Sequence, residues 1–323
     1  MKSRNCIYLI IFCFWSLSGA ASLAAIGAKT SDSTWLTEKL HVKTKNGLFK
    51  AEVHFEKINI AFTQRVIQIL KTDALNLFDY FDHVPTWTVH FIVKDKGSAN
   101  GSATIFPNNI ITLHNHPPVG AGYLHSMDDW IQGLVLHELA HVLHLDQGRG
   151  LIAALIYVFG SYGKWTGIVP RWFTEGIATW AESEFTESGR LQSKMMDFEI
   201  TSKFFDKSFC QTIDCLDDPG VYPHGRSAYW LGSRFLAYLE NKKAGTIKCL
   251  IIENSDNIPF MLNSAFKTCI GKPAPLLFKI FRKVQVKKAI AQFKKLKLTK
   301  FVKNDLQKFT LPRKGRSINW QND

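Results

Sequence analysis

This 323-residue chain has no Cys-x-x-Cys pair, no repeat period and no low-complexity tract, and only 11 prolines. Those absences exclude collagen-like, coiled-coil and disordered architectures, and a cysteine zinc site with them. Acidic residues are almost missing from one segment: 282–316 holds thirteen Lys or Arg against Asp305 alone, and so carries +12 of the formal +13. Lys2 and Arg4 supply a further +2, which leaves the rest of the chain at −1. The basicity therefore belongs to a tail and not to a nucleic-acid-binding face, and nucleic acid is disfavoured as a partner. At this length a folded chain buries roughly 75% of its unfolded surface, so a full core needs no disulfide scaffold.

No stretch beyond residue 28 is long and apolar enough to be a membrane span. The opening segment is different. Lys2 and Arg4 precede the apolar run Ile7–Leu17, and Ser18, Gly19, Ala20 and Ala21 follow, so residues 1–25 are expected to be an export signal. Cleavage after Ala20, Ala21 or Ala25 satisfies the small-residue rule equally, and retention of 5–28 as an inner-membrane anchor is the alternative. The expected location is periplasmic or secreted. Cys6 and Cys13 would leave with the signal, and four cysteines stay. The simplest of their three pairings is Cys210–Cys215 with Cys249–Cys269; the alternative is four buried thiols.

Along the chain, His41–Thr44 and Leu48–Phe55 flank Asn46-Gly47, a hairpin turn signal. Apolar residues from Val66 to Phe81 recur at helical spacing, predicting one helix over 60–81. Trp87–Val93 reads as a strand, and Ala103–His114 as a second one interrupted by Pro107 and Asn108-Asn109, hence at a sheet edge or a turn. From Asp128 the pattern is helical, with segments near 128–146, 150–162, 171–187, 190–206, 225–243 and 273–298. Strands first and helices later is the order of an α+β fold.

The chemistry concentrates in Leu134-Val135-Leu136-His137-Glu138-Leu139-Ala140-His141-Val142-Leu143-His144. Two histidines four apart share a helix face and can reach one ion, while Glu138, rotated by about a hundred degrees, can address a water beside it. An open zinc site needs a third protein ligand. His144 is two turns from His137, too far along the axis without a chain reversal. Glu175, in Pro170-Arg171-Trp172-Phe173-Thr174-Glu175-Gly176-Ile177-Ala178-Thr179-Trp180-Ala181-Glu182, is the other candidate.

His-Glu-x-x-His followed by Trp-x-x-Glu-Gly-x-Ala resembles the gluzincin zinc metalloproteases, and most of all the peptidase-MA-like domains of exported bacterial proteins. Trp130-x-x-Gly133, His144-Leu145-Asp146, Gly148-Arg149-Gly150, Phe159-Gly160 and Tyr229-Trp230-Leu231-Gly232 with Phe235 and Tyr238-Leu239 extend the likeness over roughly 85–285. The resemblance implies a thermolysin-like catalytic domain over 35–285, with a small N-terminal mixed sheet and a mainly helical C-terminal half. It implies one Zn2+ held by His137, His141 and Glu175, with Glu138 as general base. A Tyr or His on a later helix supplies the oxyanion donor in such enzymes; Tyr229 and His224 are the candidates, and the resemblance favours Tyr229. Trp172 and Trp180 read as core, His144 as packed or hydrogen-bonded near the ligands, and Glu182 as either orienting a ligand or solvated.

Gluzincins pair an extended substrate with the outer strand of their sheet, and Ile105–His114 is expected to be that strand. The Gly-x-Met-Glu-Asn motif by which aminopeptidases of this clan bind a free amine is missing. The implied activity is therefore hydrolysis of peptide or protein substrates by an endopeptidase or a peptidase of narrow specificity. A catalytically idle peptide- or envelope-binding protein on the same fold is the alternative. Residues 286–323 form a separate basic tail, where Lys287, Lys288, Lys294, Lys295, Lys297 and Lys300 interleave with Ile290, Phe293, Leu296 and Leu298. That pattern suits either an anionic membrane or cell-envelope surface, or the solvated face of a last helix.

Overall fold

The computed structural model describes residues 35–118, 127–257 and 260–296. The expected signal and anchor, and the tail beyond Leu296 with Lys297 and Lys300, lie outside the described residues. Five strands form one sheet: Trp35–Thr44 (β1), Gly47–Glu56 (β2), Val89–Lys94 (β3), Gly101–Thr104 (β4) and Ile110–His114 (β5), in the order β1-β2-β3-β5-β4. β2, β3 and β5 run parallel, and β1 and β4 pair antiparallel at the two edges. Strand alternation sends Phe49, Ala51, Val53 and Phe55 of β2, and Val89, Phe91 and Val93 of β3, into the core at no more than 2% exposure.

Three sequence expectations shift here. The first hairpin pairs Thr44 with Gly47, so its loop is Lys45-Asn46 and not Asn46-Gly47. Thr44 sets this register: its hydroxyl accepts from Asn46 N at 3.2 Å and donates to Gly47 O at 2.9 Å. Gly47 then opens β2 at φ +143°, which L side chains rarely adopt. The single helix expected over 60–81 is two, Ile60–Lys71 (α1) and Ala74–Phe81 (α2). It breaks where the Asp73 carboxylate accepts from Gln132 Nε2 at 2.8 Å instead of serving its own helix. Residues 105–114 are not an edge strand. Pro107 lies in the turn that returns β4 into β5; β5 is interior, and β4 holds the edge.

The C-terminal half is helical: Trp130–Leu145 (α3), Gly150–Phe159 (α4), Arg171–Glu184 (α5), Lys194–Lys203 (α6), a π-helical turn at Ala228–Gly232, Ser233–Lys242 (α7), Thr246–Asp256 (α8), Leu262–Ile270 (α9) and Ala274–Lys295 (α10). α8 and α9 are additions to the sequence reading, although Ile247, Leu250 and Ile251 of α8 are spaced for one buried face. α10 passes uninterrupted through residue 286, where the tail was expected to separate, and Phe293 stacks on Phe205 with ring centroids 4.4 Å apart. Cys210–Cys215 and Cys249–Cys269 are joined, the simplest of the three pairings. Among the described residues no single helix is long and apolar enough to cross a membrane.

A buried ion pair locks the sheet edge to α3. Asp146, at the helix end, accepts from Lys164 Nζ at 2.6 Å, Asn109 Nδ2 at 2.9 Å and His83 Nε2 at 3.0 Å, and both charged side chains are 1% exposed. Lys164 also donates to Asn109 Oδ1 and Ile105 O, and lies over the Trp87 ring. Burial opposes ionisation of Asp146, but His83, Lys164 and Asn109 together hold its carboxyl below the usual range. Removing one partner of such a pair leaves an uncompensated charge, so Lys164→Met should cost about 3–5 kcal/mol in urea unfolding at neutral pH. A carboxyl depressed in the folded state stabilises above its unfolded pKa of about 3.9 and loses that contribution as pH falls through its folded value. The gap between parent and variant should therefore narrow on acidification, and a gap that stays constant would contradict the assignment.

Candidate active site

α3 begins with Asp129 as N-cap, its carboxylate accepting from Gln132 N at 3.0 Å while also pairing with Arg65. The helix is buried along almost its whole length, which is why apolar residues surround His137, Glu138 and His141 on all sides. α5 starts after Pro170, and its Trp172 N–H is capped by Asp217 Oδ1 at 2.6 Å. α3 and α5 pack together so that Glu175 Oε2 lies 3.4 Å from His137 Nε2 and 3.2 Å from His141 Nε2. A tetrahedral ion with bonds of about 2.0–2.1 Å sets its ligand atoms roughly 3.3–3.4 Å apart.

The donor chemistry fits a cation. His137 Nδ1 lies 2.9 Å from Glu182 Oε2. Arg190 approaches the same nitrogen, but its nearer acceptor is Glu182 Oε2 at 2.5 Å. Nδ1 therefore keeps the proton and donates to Glu182, which turns the Nε2 lone pair toward Glu175. Glu175 Oε2 is buried with no hydrogen-bond partner, while Oε1 accepts from Tyr229 OH at 2.8 Å. Lone pairs thus converge from His137 and Glu175 on a point that only a positive charge can satisfy.

Charge is compensated around that point. Burial opposes ionisation of Glu182, but Arg190, with Nε 2.5 Å from Oε1, holds it down to about 2. Burial likewise opposes ionisation of Glu175, and His137 and His141 overcome it, so that carboxyl stays well below the usual range. With protons as the only cations, burial and Arg190 push His137 down, yet Glu175 and Glu182 carry it up to about 9. Glu138 is pushed up by burial, with His137 and His141 pulling the other way.

Tyr229 sits on the π-helical turn, a distortion frequent at functional sites. Gly176 and Gly232 let that turn touch α5 backbone to backbone: a Cβ on Gly232 would lie 2.6 Å from Trp172 O. The Tyr229 ring stacks on His137 with centroids 6.0 Å apart, and the guanidinium groups of Arg171 and Arg190 lie 5.1 and 5.2 Å from its centre. Burial and Glu175 push its hydroxyl up to about 12, so it remains a donor. His224, the other candidate, is exposed at φ +52° and packs against Tyr222. His144 is fully enclosed, edge-on to Phe173, and burial followed by His141 lowers it to about 3. It is a neutral packing residue and joins no ligand set. Trp172 and Trp180 are core, and Glu182 orients His137 and is not solvated.

Arg190 and Arg171 escape sequence reasoning because their roles depend on how a loop and a helix start pack against other segments. The edge strand was also misplaced. A Cβ on Gly101 would lie 2.7 Å from Glu138 Oε1, so β4, and not 105–114, runs past the site. Gly101→Val should push Glu138 aside without touching His137, His141 or Glu175, so zinc bound by those three should stay while any hydrolysis that needs Glu138 falls by an order of magnitude or more. Metal analysis alongside initial rates checks this; loss of zinc in that variant would show that the strand supports the ligands instead.

No protein-family model matches the sequence, and no curated protein matches it either. Solved structures do share its fold. The aminopeptidase A of Legionella pneumophila, determined in complex with aspartic acid, superposes with a TM-score of 0.50 at 12% identity, over 76% of this chain and 28% of its own. An M1 zinc metallopeptidase from Deinococcus radiodurans gives 0.42 at 14% identity, over 78% of this chain and 52% of its own. The chain spans about a quarter to a half of the length of these proteins, and what it shares with the first is the α+β arrangement of a small sheet and a helical half.

Proposed function

We propose that this chain is an exported zinc-dependent peptidase of the gluzincin, thermolysin-like type that cuts within peptide or protein substrates. The observation that carries the reading is the buried, unpartnered Glu175 Oε2, aimed at the Nε2 atoms of His137 and His141. His137, His141 and Glu175 would hold a zinc ion, which when bound would supply Lewis acidity to a substrate carbonyl and to water. Glu138, which burial pushes up from the usual carboxylate range, takes the proton from the attacking water and returns it to the leaving amine. Tyr229 OH, protonated and donating to Glu175 Oε1 at 2.8 Å, would turn its proton from that carboxylate to the developing oxyanion. β4 leaves one edge unpaired for an extended substrate, and its residues Gly101-Ser102-Ala103-Thr104 offer no carboxylate to fix a free amine. That favours endopeptidase over aminopeptidase action. The two disulfides accord with an oxidising compartment such as the periplasm.

The mutations that test this separate two carboxylates with different tasks. Glu138→Gln should keep zinc and lose about 10²–10⁴ in rate, with no rescue by added zinc. Glu175→Gln should bind zinc more weakly and regain part of its activity in excess metal. A zinc-replete Glu138→Gln protein that cleaves casein at the parent rate would overturn the general-base role, and a zinc-replete parent that cleaves nothing would leave the idle peptide-binding alternative. Comparing N-acetylated with free peptides decides the cleavage mode, since an aminopeptidase would spare the blocked ones.

We also propose that α10 meets an anionic membrane or envelope surface. Lys287, Lys288, Lys294 and Lys295 are exposed, while Ala289 is buried and Phe293 holds the helix down. Each lysine near an anionic surface contributes about 1 kcal/mol, screened by salt. Replacing all four by Gln should weaken sedimentation with phosphatidylserine vesicles and flatten its salt dependence; equal binding by both proteins would reduce the lysines to a solvated face.

A further inference from the structure

On the outward face of the sheet, away from the core, a second group of metal-type donors converges. Glu52 and His54 of β2 alternate with the buried Ala51, Val53 and Phe55, and His90 of β3 lies between the buried Val89 and Phe91. Parallel pairing sets Glu52 directly opposite His90, with His54 one step along the same face. His54 Nε2 lies 3.2 Å from His90 Nδ1 and 3.8 Å from Glu52 Oε2, and His90 Nδ1 lies 3.6 Å from the same oxygen. These separations straddle the roughly 3.3–3.4 Å edge of a tetrahedral zinc site.

The neighbouring strand aims these donors. Thr37 of β1 pairs with His54 in the sheet register, and its Oγ1 lies 2.9 Å from His54 Nδ1, which leaves Nε2 facing the group. Lys39 of β1 pairs with Glu52, and its ammonium lies 3.5 Å from Oε1, so Oε2 is the oxygen turned toward the histidines. Partners of this kind fix the tautomer and orientation of metal ligands. The three side chains are 27–34% exposed, open enough for an ion to enter and for a water to complete its shell.

We propose that Glu52, His54 and His90 form a second Zn2+ site, on the sheet face opposite the core, that staples the β1–β2 hairpin to β3. Two imidazoles and one carboxylate are donors suited to zinc, with copper(II) and nickel(II) the competing ions for the same set. None of the donors comes from α3 or α5, so the proposal stands or falls separately from the peptidase reading. If the site is absent, the same atoms form only a hydrogen-bonded pair of imidazoles beside a carboxylate.

Zinc titration of the metal-stripped, full-length protein, with bound metal counted after gel filtration, distinguishes these cases. The parent should hold two equivalents and His137→Ala one, and His137→Ala combined with His90→Ala should hold none. In the His137→Ala background, Co2+ should give the intense visible bands of a tetrahedral site, and zinc should raise Tm. Both effects should disappear with His54→Ala or with His90→Ala, whose circular dichroism without metal reports that the fold is kept. A His137→Ala protein that binds none overturns the second site, whereas a single equivalent in the parent that His137→Ala keeps and His90→Ala loses upholds it and counts only against the peptidase centre. Retention of two equivalents by His90→Ala overturns its assignment to these residues.

Discussion

Glu182 is completely enclosed, and its bidentate contact with Arg190 is the interaction on which the site geometry depends. Without the guanidinium a carboxylate at that depth would be driven toward its neutral form and would accept from His137 only weakly. His137 would then be free to exchange tautomers, and the lone pair on Nε2 would lose its fixed direction. Arg190 comes from the short helical turn after α5, so the loop that returns the chain from α5 to α6 is part of the active centre although it touches none of the reacting positions. The same guanidinium lies over the Tyr229 ring, so one buried cation both orients His137 and packs on the tyrosine that donates to Glu175.

Helix packing supplies the remaining precision. Glu175 and Tyr229 meet because Gly176 and Gly232 remove the side chains that would hold their backbones apart. In the sequence the glycine after Glu175 is legible only through resemblance. In the structure its reason is steric, for a Cβ there would lie 3.0 Å from the Gly232 carbonyl carbon. The π-helical turn adds a residue to the helix just where the chain passes this contact, which rotates Tyr229 toward Glu175.

Local chemistry was legible in the sequence and register was not. His137, Glu138 and His141 are recognisable because an i, i+4 pair on one helix is a statement about a single element. Glu175 needed a second helix and was reached by resemblance to known proteins, not by spacing. Arg190, Asp146 with Lys164, and the Glu52–His54–His90 group are contacts between segments far apart in the chain, and a neutral body with unremarkable composition gives no hint of them. Strand boundaries failed for a related reason. Pro107 correctly pointed to an edge or a turn, but which flank of it became the edge depends on pairing with β3, which selects the apolar Ile111 and Leu113 for the interior and leaves Gly101–Thr104 outside.

The edge strand and the metal helix are matched in length, and two contacts hold them in step. Gly101 abuts Glu138 at one end; at the other, Ile105 and Asn109 are tied to Asp146 through Lys164. Four residues of strand cover about 13 Å and eight residues of helix about 12 Å, so the span from Gly101 to the end of β4 is close to that from Glu138 to the end of α3. A substrate strand added to β4 would inherit that alignment, with its backbone held at a fixed height above Glu138. The buried Asp146–Lys164 pair, whose stabilising value in isolation is doubtful because both charges must be desolvated, gains its purpose from this geometry. It keeps the free edge from sliding along the helix that bears the ligands, and so turns an ordinary open sheet edge into one placed relative to the reacting centre.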